Sequence, residues 1–168
     1  MDEIVVRPAR PGDGTGLAQS WLDAGSYYAA LDPDLFRVPT SQGLVAWVEE
    51  RLARPRPPDT IWLVAEVDGQ AVGDIHARLD RPMPDAGRQL VREVGQLRVF
   101  VNALAVQAAY RRRGVGTRLL EAVEGWGRQQ GATLISLDTF IDSPLSVPFY
   151  ERRMGYQRRA IIFQKRLR

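Results

Sequence analysis

Apolar positions along this chain keep two different periods, and the switches between them mark out its elements. Residues 3–7, EIVVR, make a short extended run that Pro8, Pro11 and the glycines of PARPGDGTG bring to a close. Helical spacing follows. Leu17, Trp21 and Leu22 line one face of a first helix with Thr15 as its candidate cap. Leu44, Val45, Trp47, Val48 and Leu52 line a second over 41–53, with Ser41 as cap. The segment RPRPPD (54–59) holds too many prolines for a helix and predicts a stiff extended connector.

Beyond it the runs become extended. IWLVAEV (61–67) and QAVGDIHARL (70–79) flank Asp68-Gly69, a turn dipeptide, and predict a hairpin. A Pro-rich loop, DRPMPDAG (80–87), leads to another extended run, QLRVFVNALAV (96–106). Val115, Leu119, Ala122, Val123 and Trp126 then share a helical face that Gly131 stops. ATLISLDTF (132–140) predicts a strand, 146–153 a short helix ending at Gly155, and 156–166 a final strand. The order is β-α-α-β-β-β-α-β-α-β, an α/β chain without repeats. Its 168 residues are expected to form a single domain over 1–168.

Composition narrows the chemistry. Without cysteine there is no disulfide, thiol nucleophile or thiolate metal site, and with His76 as the sole histidine there is no multi-histidine metal site. No metal is therefore expected. No stretch approaches the roughly 18 apolar residues of a membrane span. The opening MDEIVVRPAR lacks the order of a signal peptide, so a cytoplasmic protein that does not engage a membrane is expected. The net charge of +3 comes from 22 Arg beside the single Lys165. They are either a solvated surface or the footprint of an anionic partner, a phosphorylated cofactor or nucleic acid.

The segment VFVNALAVQAAYRRRGVGTR (99–118) bears on that choice. An extended apolar run enters Arg111-Arg112-Arg113-Gly114-Val115-Gly116 and then an amphipathic helix. Glycines let backbone N–H groups approach a ligand, and a helix start adds unpaired donors and the positive end of its dipole. The arrangement suits a pyrophosphate. Leu119 stands where a dinucleotide fingerprint needs its third glycine, and the Gly-Lys-Ser/Thr of a P-loop is absent.

Arg-x-x-Gly-x-Gly after a strand ending Leu104-Ala105-Val106 resembles the acetyl-CoA signature of the GNAT family of N-acetyltransferases. SPLSVPFYERRMGY (143–156) is similar to that family's next motif, matching at Tyr150 and at Gly155-Tyr156. Ser143 stands for the usual Asn, and Ser146 for the usual Ala. The resemblance covers about residues 60–165. It implies a mixed, mostly antiparallel sheet whose central parallel βαβ unit splays to admit acetyl-CoA. Backbone groups of Leu104, Ala105 and Val106 would pair with the pantetheine arm, and the Val106 N–H would polarise the thioester carbonyl. Backbone N–H groups from Arg112 through Gly114, Val115 and Gly116 to Thr117 would hold the pyrophosphate. Arg111, Arg112 and Arg113 would lie near the phosphates, and Ser143 would take the place of the motif's cofactor-binding Asn.

The resemblance further implies direct transfer of the acetyl group to a primary amine, on a small molecule or a peptide. Tyr150 would protonate the departing CoA thiolate, although a core aromatic explains its spacing too. Where a glutamate often serves as base on the fourth strand, this chain has Asn102. His76 has the best intrinsic pKa for that task; Asp74, on the same strand face, and Asp138 are weaker candidates. The acceptor would lie among Trp21, Tyr27, Tyr28, Asp32 and Phe36, whose aromatic and acidic groups suit a cation, or else pack and cap turns. Two alternatives stay open: a non-catalytic acyl-CoA sensor, and an arginine-rich nucleic-acid-binding module. Scattered arginines and the absence of a nucleic-acid-binding motif speak against the second, so no nucleic-acid partner is expected. A homodimer is possible by analogy with the family.

Overall fold

The computed structural model describes residues 3–165 and 167, and the chain separates into two units between Asp138 and Thr139. In the first unit, strands β1 (Val5–Pro8), β2 (Thr60–Val67), β3 (Gln70–Asp80), β4 (Arg98–Val106) and β5 (Leu134–Leu137) form one sheet in chain order. Neighbours from β1 to β4 are antiparallel, while β4 and β5 are parallel. Parallel neighbours require a crossover, and helix α3 (Val115–Gln129) supplies it. The fold is thus α/β with a mostly antiparallel sheet, as expected. The hairpin forms where Asp68-Gly69 predicts it, with both residues at positive φ (49° and 78°), the geometry that follows the twist of the strands.

Directly opposed residues share a sheet face. Trp62 opposes His76 and Val64 opposes Asp74. Helices α1 (Gly14–Leu31) and α2 (Leu44–Ala53) cover this face through Leu17, Ala18, Leu44, Val48 and Leu52, which cluster with Val64. α3 lies on the other side, where Val115 reaches Gly73 and, with Leu119, Leu120 and Val123, is fully buried.

The helix starts differ from the sequence reading. Asp13 holds the cap position of α1 in place of Thr15, and Gly43 that of α2 in place of Ser41. Thr15 falls inside the first turn because Glu49, on α2, reaches over to accept the N–H groups of Gly12 and Gly14 at 2.9 and 2.7 Å. Asp13 instead takes a bidentate fork from Arg7, whose Nε bonds Glu66 at 2.7 Å and so ties β1 to β2. Burial alone would push the Asp13 carboxyl up; the Arg7 fork and the Arg10 N–H outweigh it and hold it below its ordinary value.

The second unit contains helix α4 (Ser146–Pro148), continued by a π-helical turn, Phe149–Arg153. The expected strand at 156–166 is not formed among the described residues. Ile161, Ile162 and Phe163 have the composition of a strand, but they are exposed (67–90%) and pair with no strand among the described residues. β5 is also shorter than the predicted 132–140. Among the described residues, no helix is long and apolar enough to cross a membrane.

Candidate active site

The pairing of β4 changes midway along the strand. Ala77 opposes Val101 and His76 opposes Ala103, leaving Asn102 as an extra residue in a β-bulge. On its other edge β4 pairs with β5 only from Arg98 to Val101. The β4–β5 ladder therefore ends at the bulge, and the sheet opens along Asn102–Val106, as the splayed βαβ unit requires.

The open stretch leads directly into the glycine-rich turn. Arg112 (φ 64°) and Gly114 (φ 90°) are both left-handed, an uncommon conformation for the arginine. A Cβ built on Gly114 meets no atom within 4 Å, so this turn faces open space. The Arg118 N–H bonds back to Gly114 O at 3.0 Å and opens the hydrogen-bond ladder of α3. The N–H groups of Val115, Gly116 and Thr117 precede it and, as in any first helical turn, have no carbonyl within the helix to meet. An anion cradle requires this combination of donors, positive dipole end and open space. The residues present thus fit a pyrophosphate.

The three arginines diverge. Arg111 donates from Nε to Val106 O (3.1 Å) and from a terminal nitrogen to Asp23 O (3.0 Å), with its guanidinium 5.4 Å from the Tyr27 ring. Its fork thus fastens α1 to the end of β4. Asp23 strengthens that link by accepting the Ala108 N–H at 2.6 Å. Arg113 lies over Tyr110 at 5.5 Å, and both Arg112 and Arg113 are exposed beside the turn. Val115 can offer only its backbone, because its side chain is buried in the core. The bulge places Leu104 and Val106 on the α3 side of the sheet and Ala105 on the α1–α2 side.

His76 stands one row from the opening, opposite Ala103, and is half-buried with its ring 5.8 Å from Trp62. Burial, and then the positive charges of Arg51, Arg56 and Arg78, lower its pKa and keep the imidazole neutral at neutral pH. In the next row, Asp74 accepts the Trp62 indole N–H at 2.9 Å, and burial pushes its carboxyl up to about 7 against the pull of that bond. The alternation Asp74-Ile75-His76 sets both residues on one face of β3, as the sequence predicts. Among the described residues, no cluster of His, Cys, Asp or Glu could hold a metal ion.

The residues expected at the acceptor lie on α1 and after it. Tyr27, Tyr28 and Phe36 form an aromatic chain with 5.1 and 5.0 Å between successive rings. Asp32 accepts the N–H groups of Asp34 and Leu35, both at 3.0 Å, and so caps the turn after α1. Trp21 is 44% exposed. In the second unit, Tyr150 lies in the π-helical turn, 5.1 Å from Phe149 and 6.0 Å from Tyr156. Ser143 is 2% exposed, and its Oγ accepts the Ser146 N–H at 3.0 Å just before α4.

The model of the acetyltransferase (GNAT) family matches residues 23–156. The chain belongs to the GNAT acetyltransferase family. Solved structures share the GNAT fold over nearly the whole chain. A protein from Bacillus halodurans superposes with TM-score 0.80 at 16% identity, covering 97% of this chain and 99% of its own. The aminoglycoside N-acetyltransferase AAC(6')-Iy, solved with CoA, gives TM-score 0.61 at 21% identity over 99% and 97% of the two chains. An Agrobacterium tumefaciens protein described as a putative acetyltransferase gives 0.62 at 23% identity over 97% and 99%. GNAT members of such low identity share architecture, and the chemistry of this one must be argued from its own residues.

Proposed function

We propose that this GNAT protein transfers an acetyl group from acetyl-CoA directly to a primary amine, working as one domain. The observation that carries this reading is the coincidence of two features. The β4–β5 ladder ends at Val101, and the strand it frees runs into the left-handed turn at the start of α3. A strand edge without a β5 partner can bond an amide-bearing arm as it would another strand, and the turn can hold the pyrophosphate at its end. Binding of CoA by AAC(6')-Iy, which has the same fold, supports this assignment.

In this reading the Val106 N–H polarises the thioester carbonyl. The amine attacks, its proton passes toward neutral His76 or toward Asp74, and the Tyr150 phenol protonates the departing thiolate. With no cysteine in the chain, no thiol acyl-enzyme is available. Arg111 acts on the cofactor only indirectly, by holding Val106 and α1.

The test is thiol release from acetyl-CoA across amino acids, simple amines, polyamines, aminoglycosides and peptides. Any free thiol must come from the cofactor, because the protein has none. Release with one amine class above background supports the proposal. Saturable acetyl-CoA binding without release from any amine would favour a sensor, and failure to bind acetyl-CoA would remove the proposal altogether.

A further inference from the structure

The sheet face that carries His76 has an imbalance of charge beside the opening. Arg51 extends from α2 over two indoles, its guanidinium 4.7 Å from Trp47 and 5.7 Å from Trp62, and has no carboxylate partner among the described residues. One row beyond His76, Arg78 lies over Phe100 at 4.4 Å. Arg78 and Arg98 share a single carboxylate, Asp80, at 2.9 and 3.8 Å. The Arg98 Nε is buried without a hydrogen-bond acceptor. Arg51, Arg78 and Arg98 thus stand beside two carboxyls on this side of the sheet, Asp80 and Asp74, the second already engaged by the Trp62 indole N–H.

Flat, weakly hydrated guanidinium groups on aromatic rings are suited to planar or tetrahedral oxyanions. We propose that the acceptor is an amine that also carries an anionic group, a carboxylate or a phosphate, seated by Arg51 and Arg78 beside His76. This inference rests on the acetyl-transfer reading and adds the acceptor's chemical class to it. Residues two apart on a strand are separated by about 7 Å. An amine at the His76–Ala103 row and an anion at the Arg78 row are therefore within reach of one small molecule. A polycation would meet these guanidinium groups with like charge, so this face disfavours acceptors of the aminoglycoside or polyamine kind.

Calorimetry on the intact protein tests the proposal without requiring turnover. The protein is saturated with CoA and titrated with β-alanine against its amide, 2-aminoethyl phosphate against ethanolamine, and spermidine. At least one member bearing the anionic group is expected to bind tenfold or more tightly than its counterpart without it, and the two pairs distinguish carboxylate from phosphate. Arg51→Gln and Arg78→Gln should each abolish that preference while leaving CoA affinity unchanged. Arg51 is exposed, so its replacement should leave thermal unfolding unaltered. Equal affinity within both pairs, a preference for spermidine, or a preference that survives both substitutions would overturn the inference. CoA titrated alone separates the two levels: normal CoA binding with no anion preference removes only the acceptor class, whereas no CoA binding removes the transfer reading with it.

Discussion

The Trp62 indole N–H donates to Asp74 Oδ2 across the β2–β3 hairpin at 2.9 Å, placing an indole and a carboxyl on the face beneath α1 and α2. Trp62 also lies 5.8 Å from the His76 ring and under the Arg51 guanidinium. One side chain thereby links a carboxyl, an imidazole and a cation. The arrangement carries a cost in stability, because the carboxyl is largely withdrawn from water and has no salt bridge among the described residues.

That cost is measurable. The Asp74 carboxyl, 3.8 when free, is pushed up to about 7 by burial. Unfolding releases it to ionise, so the folded state is penalised as pH rises from about 4 to about 7, and by a constant amount above that. The gap corresponds to roughly 4 kcal/mol when both states are ionised. Asp74→Asn keeps an acceptor for Trp62 and removes the titration. Denaturant unfolding should show the variant to be more stable than the parent at pH 8, with the advantage shrinking as pH falls toward 4. An advantage independent of pH would mean that Asp74 is ionised in the folded protein at all these values.

Gly114 requires φ of 90°, which costs a side-chain-bearing residue about 1–2 kcal/mol. Gly114→Val should weaken acetyl-CoA binding about tenfold in a calorimetric titration. Because nothing lies within 4 Å of the added Cβ, the loss would come from a reshaped turn rather than a collision. Unchanged affinity would dissociate the turn from cofactor binding.

Replacing Tyr150 by Phe removes a proton donor and leaves the ring contacts with Phe149 and Tyr156 available. Turnover should fall tenfold or more, with acetyl-CoA affinity nearly intact. The split between kcat and binding is the decisive readout, and an unaltered kcat would return Tyr150 to a packing role.

Gly16 is needed for a different reason. A Cβ there would lie 2.1 Å from the Ala71 carbonyl oxygen, which already accepts the Gln107 side-chain N–H at 3.0 Å. Backbone cannot yield as a flexible side chain does, so Gly16→Ala should destabilise by about 1–3 kcal/mol. Thermal unfolding should shift down by several degrees. An unshifted midpoint would show that α1 can lift off β3 freely.

Much of this architecture was legible because strong local signals agree with the fold. Asp68-Gly69 between two apolar runs sets the hairpin, and the apolar face from Val115 to Val123 sets α3. Arg111-x-x-Gly114-x-Gly116 likewise marks the turn before α3. What was not legible depends on distant partners. Thr15 lost the cap position to Asp13 and Glu49, the latter 35 positions from Gly14. Arg111 reads as a phosphate ligand, and its bonds to Val106 O and to Asp23 O, 88 positions earlier, leave no trace in the motif. On the face of Asp74 and His76, the sequence does not show that α2 brings Trp47 and the Arg51 guanidinium over Trp62. The apolar run at 161–163 has the right composition for a strand but stays exposed and forms none.

The extra residue at Asn102 also decides which side chains stand where the sheet opens. Were β4 regular, the phase set by Val99 and Val101 would turn Ala103 and Ala105 toward α3 and send Leu104 and Val106 to the side of His76 and Asp74. The bulge inverts this, turning the large pair toward α3 and leaving two methyl groups on the other side. Clearance for a reacting molecule thus comes from a count of residues along one strand. A chain that spread the same amino acids over an unbroken ladder would obstruct its own workspace.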